Sequence, residues 1–239
     1  MKSLLYLILL LLLAQPLCCL SDADEVLGWL NRLRTGEGLP TCSADSRLDL
    51  AAADYARRLA AAGRLSHRDE AGGSALDRYH AAGGSATLVG EVLAAASSPE
   101  EAGRAWLDSA EHRALLLDPA WSHAGAGSAA WRDLTVYVLL FSLQRVRDLQ
   151  IKTDDRGYLV SGCLLPALAA RRPLLWAGIE MPAPEAWDPE SGCFLFRLPA
   201  AAGGLYCRLG YRGFGGEVVV TDAFVPRLPA TSLPEKEPR

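Results

Sequence analysis

The chain is predicted to be an α+β protein, with a helical first half and an all-β second half. Three observations carry this. Residues 24–120 are rich in Ala, Leu and Arg, with apolar side chains recurring every three or four positions. Residues 150–226 instead hold short apolar runs broken by Gly and Pro. The composition changes near Arg147, and there is no internal repeat.

The first helix is expected over 24–35, with Val26, Leu30 and Leu33 on one face and Gly36 and Gly38 ending it. A second starts near Asp45. Its Leu48, Ala52, Tyr55 and Leu59 make one stripe, and Gly63 closes it. A short third helix is expected over 74–82. The fourth opens on Ser98-Pro99-Glu100-Glu101, an N-cap serine with proline at the first helical position and glutamate at the third, and runs to about Ser109. Strands follow over 122–126 and 134–142, the latter marked by Thr135, Tyr137 and Val138.

In the second half, strands are expected over 157–163, 174–180, 193–198, 205–211 and 217–223. Turn signals separate them at 188–192, 202–204 and 213–216. Five short strands suggest a small sandwich; the alternative is that they extend the sheet of the first half. The domain plan is an export signal at 1–23, an α/β domain at 24–147, a β-rich domain at 148–228 and a disordered tail at 229–239.

The bulk properties narrow the function. The chain has 239 residues, 22% charged and with a net charge of −4. A pI near 5.6 and scattered arginines argue against a nucleic-acid partner. Lys2 followed by the apolar run 4–13 has the layout of a signal peptide and is too short to span a bilayer. Cleavage before Asp24 is favoured; the alternative is lipid attachment at Cys18 or Cys19. Either route places the mature chain outside the cytoplasm, secreted or anchored at the envelope.

Four cysteines follow Ala23: Cys42, Cys163, Cys193 and Cys207. In an exported chain they suggest disulfides, with three pairings open. Cys193–Cys207 is favoured because both fall on strands expected to be neighbours, and buried reduced thiols are the alternative.

Two histidines and a glutamate stand near element ends: His67 ending the second helix, Glu91 at the start of a new segment and His112 after the fourth helix. Imidazole and carboxylate are natural zinc ligands, but the spacing matches no short zinc motif. The alternative is that both histidines hydrogen-bond Glu91 and lock helices to the sheet. Ser109 and His112, three apart, could face each other as a dyad, although no acid is evident to orient them.

The order of these pieces adds to the reading. Asn31-Arg32-Leu33-Arg34 leads to Gly38-Leu39-Pro40, and an Ala-rich helix leads to Ser66-His67. Asp77-Arg78, Gly90-Glu91, Trp106 through Ser109, His112-Arg113, 115–119 and Ser122-His123-Ala124-Gly125-Ala126-Gly127 then follow. Over about 25–143 this ordered set resembles the CAP superfamily (cysteine-rich secretory proteins, antigen 5 and pathogenesis-related proteins), in its bacterial secreted form. The resemblance implies an α-β-α sandwich and a cleft with two histidines and two acids. His67, Glu91 and His112 match three of the four. Ser109 stands where the second acid would be, and Val92 replaces the asparagine that follows the glutamate in the family. The resemblance also implies a weak divalent-cation site, Zn2+ above all, with no other cofactor.

The function expected is that of a non-enzymatic binding module for an extracellular ligand: a lipid, an envelope component or a host protein. One alternative is a metal-dependent hydrolase built on the same three residues. Another is a surface or adhesion protein acting through its β-rich part, whose 188–199 stretch loosely resembles accessory sandwich domains of bacterial surface proteins. Trp29, Trp106, Trp121 and Trp131 are read as packing residues; in some members of the family such aromatics line a sterol or fatty-acid groove.

Overall fold

The structure, a computed structural model, describes residues 22–213 and 215–226. The expected export segment up to residue 21, with Cys18 and Cys19, and the tail at 229–239 lie outside the described residues.

The first part is a three-layer α-β-α sandwich. Its sheet comprises β1 (Ser43–Ala44), β2 (Val89–Ala96), β3 (His123–Trp131) and β4 (Leu134–Ser142), in the order β1-β3-β4-β2. Helices α1 (Asp22–Gly36), α4 (Pro99–Asp108) and α5 (Ala110–Leu116) cover one face; α2 (Ser46–Ala62) and α3 (Ala75–Ala81) cover the other. Strand alternation sorts the side chains. Tyr137, Leu139 and Phe141 of β4 join Leu30 and Trp106 in one core, while Val136, Val138 and Leu140 join Leu48, Tyr55 and Leu59 in the other. Glycine lets α2 approach β3 closely: a Cβ on Gly127 would lie 2.1 Å from the Ala53 backbone nitrogen.

The predicted helix ends are present where capping chemistry specifies them. Asp45 accepts from the Arg47 N–H, Ser98 from Glu101, and Gly63 closes α2 at φ 66°. Three readings are corrected. His67 does not end α2, which stops at Ala62; it sits in the loop beyond. His112 lies on the separate seven-residue helix α5. The strand expected over 122–126 continues to Trp131.

The second part holds two four-stranded sheets. One has the order β5-β6-β10-β9, with β5 (Val146–Asp154), β6 (Gly157–Leu164), β9 (Ala186–Trp187) and β10 (Cys193–Pro199). The other has the order β12-β11-β7-β8, with β7 (Pro173–Ala177), β8 (Ile179–Glu180), β11 (Cys207–Arg212) and β12 (Val218–Phe224). Val160, Leu164, Phe194 and Phe196 from the first pack with Leu175, Leu209 and Phe224 from the second. These strands form their own sheets rather than prolonging the first.

The favoured pairing of Cys193 with Cys207 is not formed; Cys163 and Cys193 are bonded. The chain crosses from one sheet to the other between β10 and β11, so these consecutive strands are not neighbours. β10 pairs with β6, which brings Cys193 opposite Cys163. Cys207 is a buried thiol in the sandwich core, and Cys42 is a buried thiol in the first part. Burial pushes both thiols up. No described helix is long and apolar enough to cross a membrane.

Candidate functional site

The edge strand β2 organises the site. Its Val92, Ala94 and Ala96 enter the core under α1 and α4, so Glu91 and Leu93 point to the opposite face. Gly90 leaves room for α5 on the first face, where a Cβ would stand 2.6 Å from Leu115 Cδ2. Because β2 is an edge, elements from both faces meet beside it. The loop after α2 brings His67 and α5 brings His112.

The structure therefore places the three predicted residues together. His67 Nδ1 is 2.8 Å from Glu91 Oε1, and the two imidazole centroids are 6.4 Å apart. Glu91 is buried, whereas the His67 side chain is 59% exposed. An ionised Glu91 fixes the proton on Nδ1 and leaves Nε2 as the free nitrogen of His67. The hydrogen bond from Glu91 raises the His67 pKa. Burial lowers that of His112, and the His67 charge lowers it further.

The other oxygen of Glu91 pairs with Arg78, whose side chain is only 3% exposed. Sequence reasoning placed Arg78 in the family pattern without giving it a role. Its guanidinium lies over the Tyr55 ring, 3.4 Å from the centroid, and donates to the Gly73 carbonyl at 3.0 Å. The Tyr55 hydroxyl donates to the Ser66 carbonyl at 2.5 Å, holding the loop that bears His67. The chain of support runs from Tyr55 to Arg78, from Arg78 to Glu91 and from Glu91 to His67. A buried carboxylate needs a cation, and that need was the available signal for Arg78.

His112 is positioned by the ends of α5. Ser109 is its N-cap, its hydroxyl accepting from the His112 backbone N–H at 3.4 Å. That is a capping role, and the expected contact of Ser109 with the His112 ring is not among the described contacts. At the other end, fully buried Arg34 donates to the Leu116 carbonyl at 2.8 Å and to that of Asp118 at 3.0 Å. Trp121 Nε1 donates to the Leu115 carbonyl at 2.8 Å.

Of the other histidines, His80 is half-buried and bonded to the Ala86 carbonyl at 2.9 Å. His123 is bonded to Ser122 Oγ at 2.9 Å and lines a separate depression with Asp45, Arg47 and Gln144.

The donor set limits what ion could sit here. Both Glu91 oxygens are engaged, which leaves two imidazoles. Among the described residues no three His, Cys, Asp or Glu side chains converge as metal ligands. Two imidazoles bound tetrahedrally to one zinc have centroids about 5.2 Å apart, so the rings, 6.4 Å apart, would have to approach by about 1 Å to share an ion whose remaining positions stay open.

Residues 27–141 match the model of the cysteine-rich secretory protein family, CAP, and this segment is a CAP domain. Among solved structures, an extracellular protein containing an SCP domain from Bacillus anthracis is 24% identical with a TM-score of 0.47, the match covering 52% of this chain and 40% of that one. An outer surface protein of Borrelia burgdorferi is 24% identical with a TM-score of 0.48, covering 51% of this chain and 91% of that one. A cysteine-rich secretory protein of Staphylococcus aureus is 17% identical with a TM-score of 0.42, covering 52% and 38%. The chain thus spans well under half the length of the Bacillus and Staphylococcus proteins. No curated protein matches.

Proposed function

We propose that the chain is an extracellular, non-enzymatic binding module whose CAP cleft takes a divalent cation between His67 and His112. The observation that supports this is the 2.8 Å contact between His67 Nδ1 and Glu91, which leaves Nε2 free for a ligand bond. Glu91 serves behind His67, fixing its tautomer, and is not itself a ligand. Zinc in such a site would act as a Lewis acid with several open positions, available to water or to donor atoms of an extracellular ligand. With two protein ligands the affinity is weak.

A calorimetric zinc titration of residues 24–239 tests this, beside His67→Ala and His112→Ala. Saturable binding near one equivalent, lost in both variants, is the expected result. A folded wild-type protein that takes up no zinc would overturn the cation reading and leave both histidines with a structural role.

A further inference from the structure

The CAP domain and the β-rich part meet at a small polar joint. Asp222, on β12, has a relative exposure of 1%. A bulge brings it opposite Leu209, with Thr221 as the extra residue. Its Oδ1 accepts from the Ser85 hydroxyl at 2.6 Å, across the joint. The Ala223 N–H donates to the Ser85 carbonyl, also at 2.6 Å, and Ala86 forms a single antiparallel bridge with Asp222. The second carboxyl oxygen of Asp222, Oδ2, is buried with no hydrogen-bond partner among the described residues.

The surroundings offer this carboxyl little to neutralise it. From α2, Arg47 acts on Asp222 only through space, and its own side chain is exposed. From α3, Tyr79 faces the joint, but its hydroxyl donates to Asp45 at 3.0 Å. Asp45 also accepts from Gln144 and from the Arg47 backbone. His80, on the same helix, is bonded to the Ala86 carbonyl. From β11, the facing residue is apolar Leu209. A carboxylate buried with one oxygen bare costs several kcal/mol, and the neutral acid in the same place costs far less.

We propose that Asp222 is a proton-dependent pin between the CAP domain and the β-rich part, tight while its carboxyl is protonated and loosened when it ionises. Burial pushes the Asp222 carboxyl above the usual carboxylate range, against the opposing Ser85 hydrogen bond and the charge of Arg47; the Thr221 hydroxyl donates to the Leu209 carbonyl at 3.1 Å. The folded state therefore holds this proton more tightly than the unfolded chain. The contribution is fully present below the ordinary carboxylate pKa and is lost as pH rises through the folded value. The carboxylates that stabilise through ion pairs behave in the opposite sense, so the joint has a distinct pH signature.

The test is backbone hydrogen exchange on the full chain across the mildly acidic to mildly alkaline range, corrected for intrinsic rates. In the wild type, protection of the Ala223 amide and of segment 82–88 should fall by about tenfold or more as pH rises, while the sandwich core stays protected. Asp222→Asn should abolish that pH dependence. Ser85→Ala removes a donor that favours the ionised form, so it should move the loss to higher pH; it serves alone if the Asn variant does not fold. A pH-independent wild type, a wild-type pH profile in Asp222→Asn, or an unmoved midpoint in Ser85→Ala would each overturn the proposal.

Discussion

A guanidinium with 3% of its side chain exposed needs a counter-charge, and Arg78 has one in Glu91. Removing that charge by Glu91→Gln leaves a buried, uncompensated cation. The expected loss is about 3–5 kcal/mol in urea-induced unfolding. The same change should bring down the His67 pKa, because its largest upward cause is the Glu91 hydrogen bond. Proton-detected titration should find His67 above and His112 below the ordinary imidazole value in the wild type. His67 then contributes stability that is complete below the unfolded imidazole pKa and is lost as pH rises through its raised folded value. At this scale the sequence showed the cleft's two imidazoles and its acid but not the arginine. Histidine stands out by rarity, with four in the chain, and Glu91 by its place in the ordered set; Arg78 is one arginine among many, and only burial gives it a role.

Helices and strands differ in how plainly the sequence announces them. Ser98-Pro99 and Gly63 mark helix ends through local hydrogen bonds, and these ends are where the reading placed them. β2 was not legible as a strand: it reads Val-Gly-Glu-Val-Leu-Ala-Ala-Ala, a Gly- and Ala-rich stretch covered on both faces and so without alternation. β5 was missed for the opposite reason. Its residues after Val146 are almost all exposed and charged or polar, as suits an edge strand. α5 is seven residues long, too short for a periodic signal, yet it carries His112. Its position depends on Arg34, which satisfies carbonyls that the helix end leaves open. Arg34→Met should cost about 2–4 kcal/mol in denaturant unfolding and weaken zinc binding through displacement of His112. Gly127→Ala probes the seat of α2 on the sheet. With a Cβ aimed into the Ala53 backbone, it should destabilise by about 3 kcal/mol or more, since backbone cannot turn aside as a side chain can.

At the scale of the whole molecule, the chain joins two differently held parts. The CAP domain closes two apolar cores around one sheet, and its thiol, Cys42, is reduced. The β-rich part closes one core between two small sheets and adds a covalent tie between β6 and β10. The sequence revealed the even cysteine count but not the connectivity, because pairing depends on which strands share a sheet, and consecutive strands β10 and β11 do not. Alkylation of denatured, unreduced residues 24–239 should label Cys42 and Cys207 and spare Cys163 and Cys193. The bond links positions 30 residues apart, and closing a loop of that length in the unfolded chain corresponds to about 3–4 kcal/mol. Reduction should therefore lower the stability of the β-rich part by that order, seen as earlier loss of hydrogen-exchange protection in β6, β10 and β11. The CAP domain carries no such bond among the described residues, so its helices should keep their protection under the same reductant. If protection instead fell together in both parts, the joint at Ser85 and Asp222 would have to be strong enough to make them one cooperative unit.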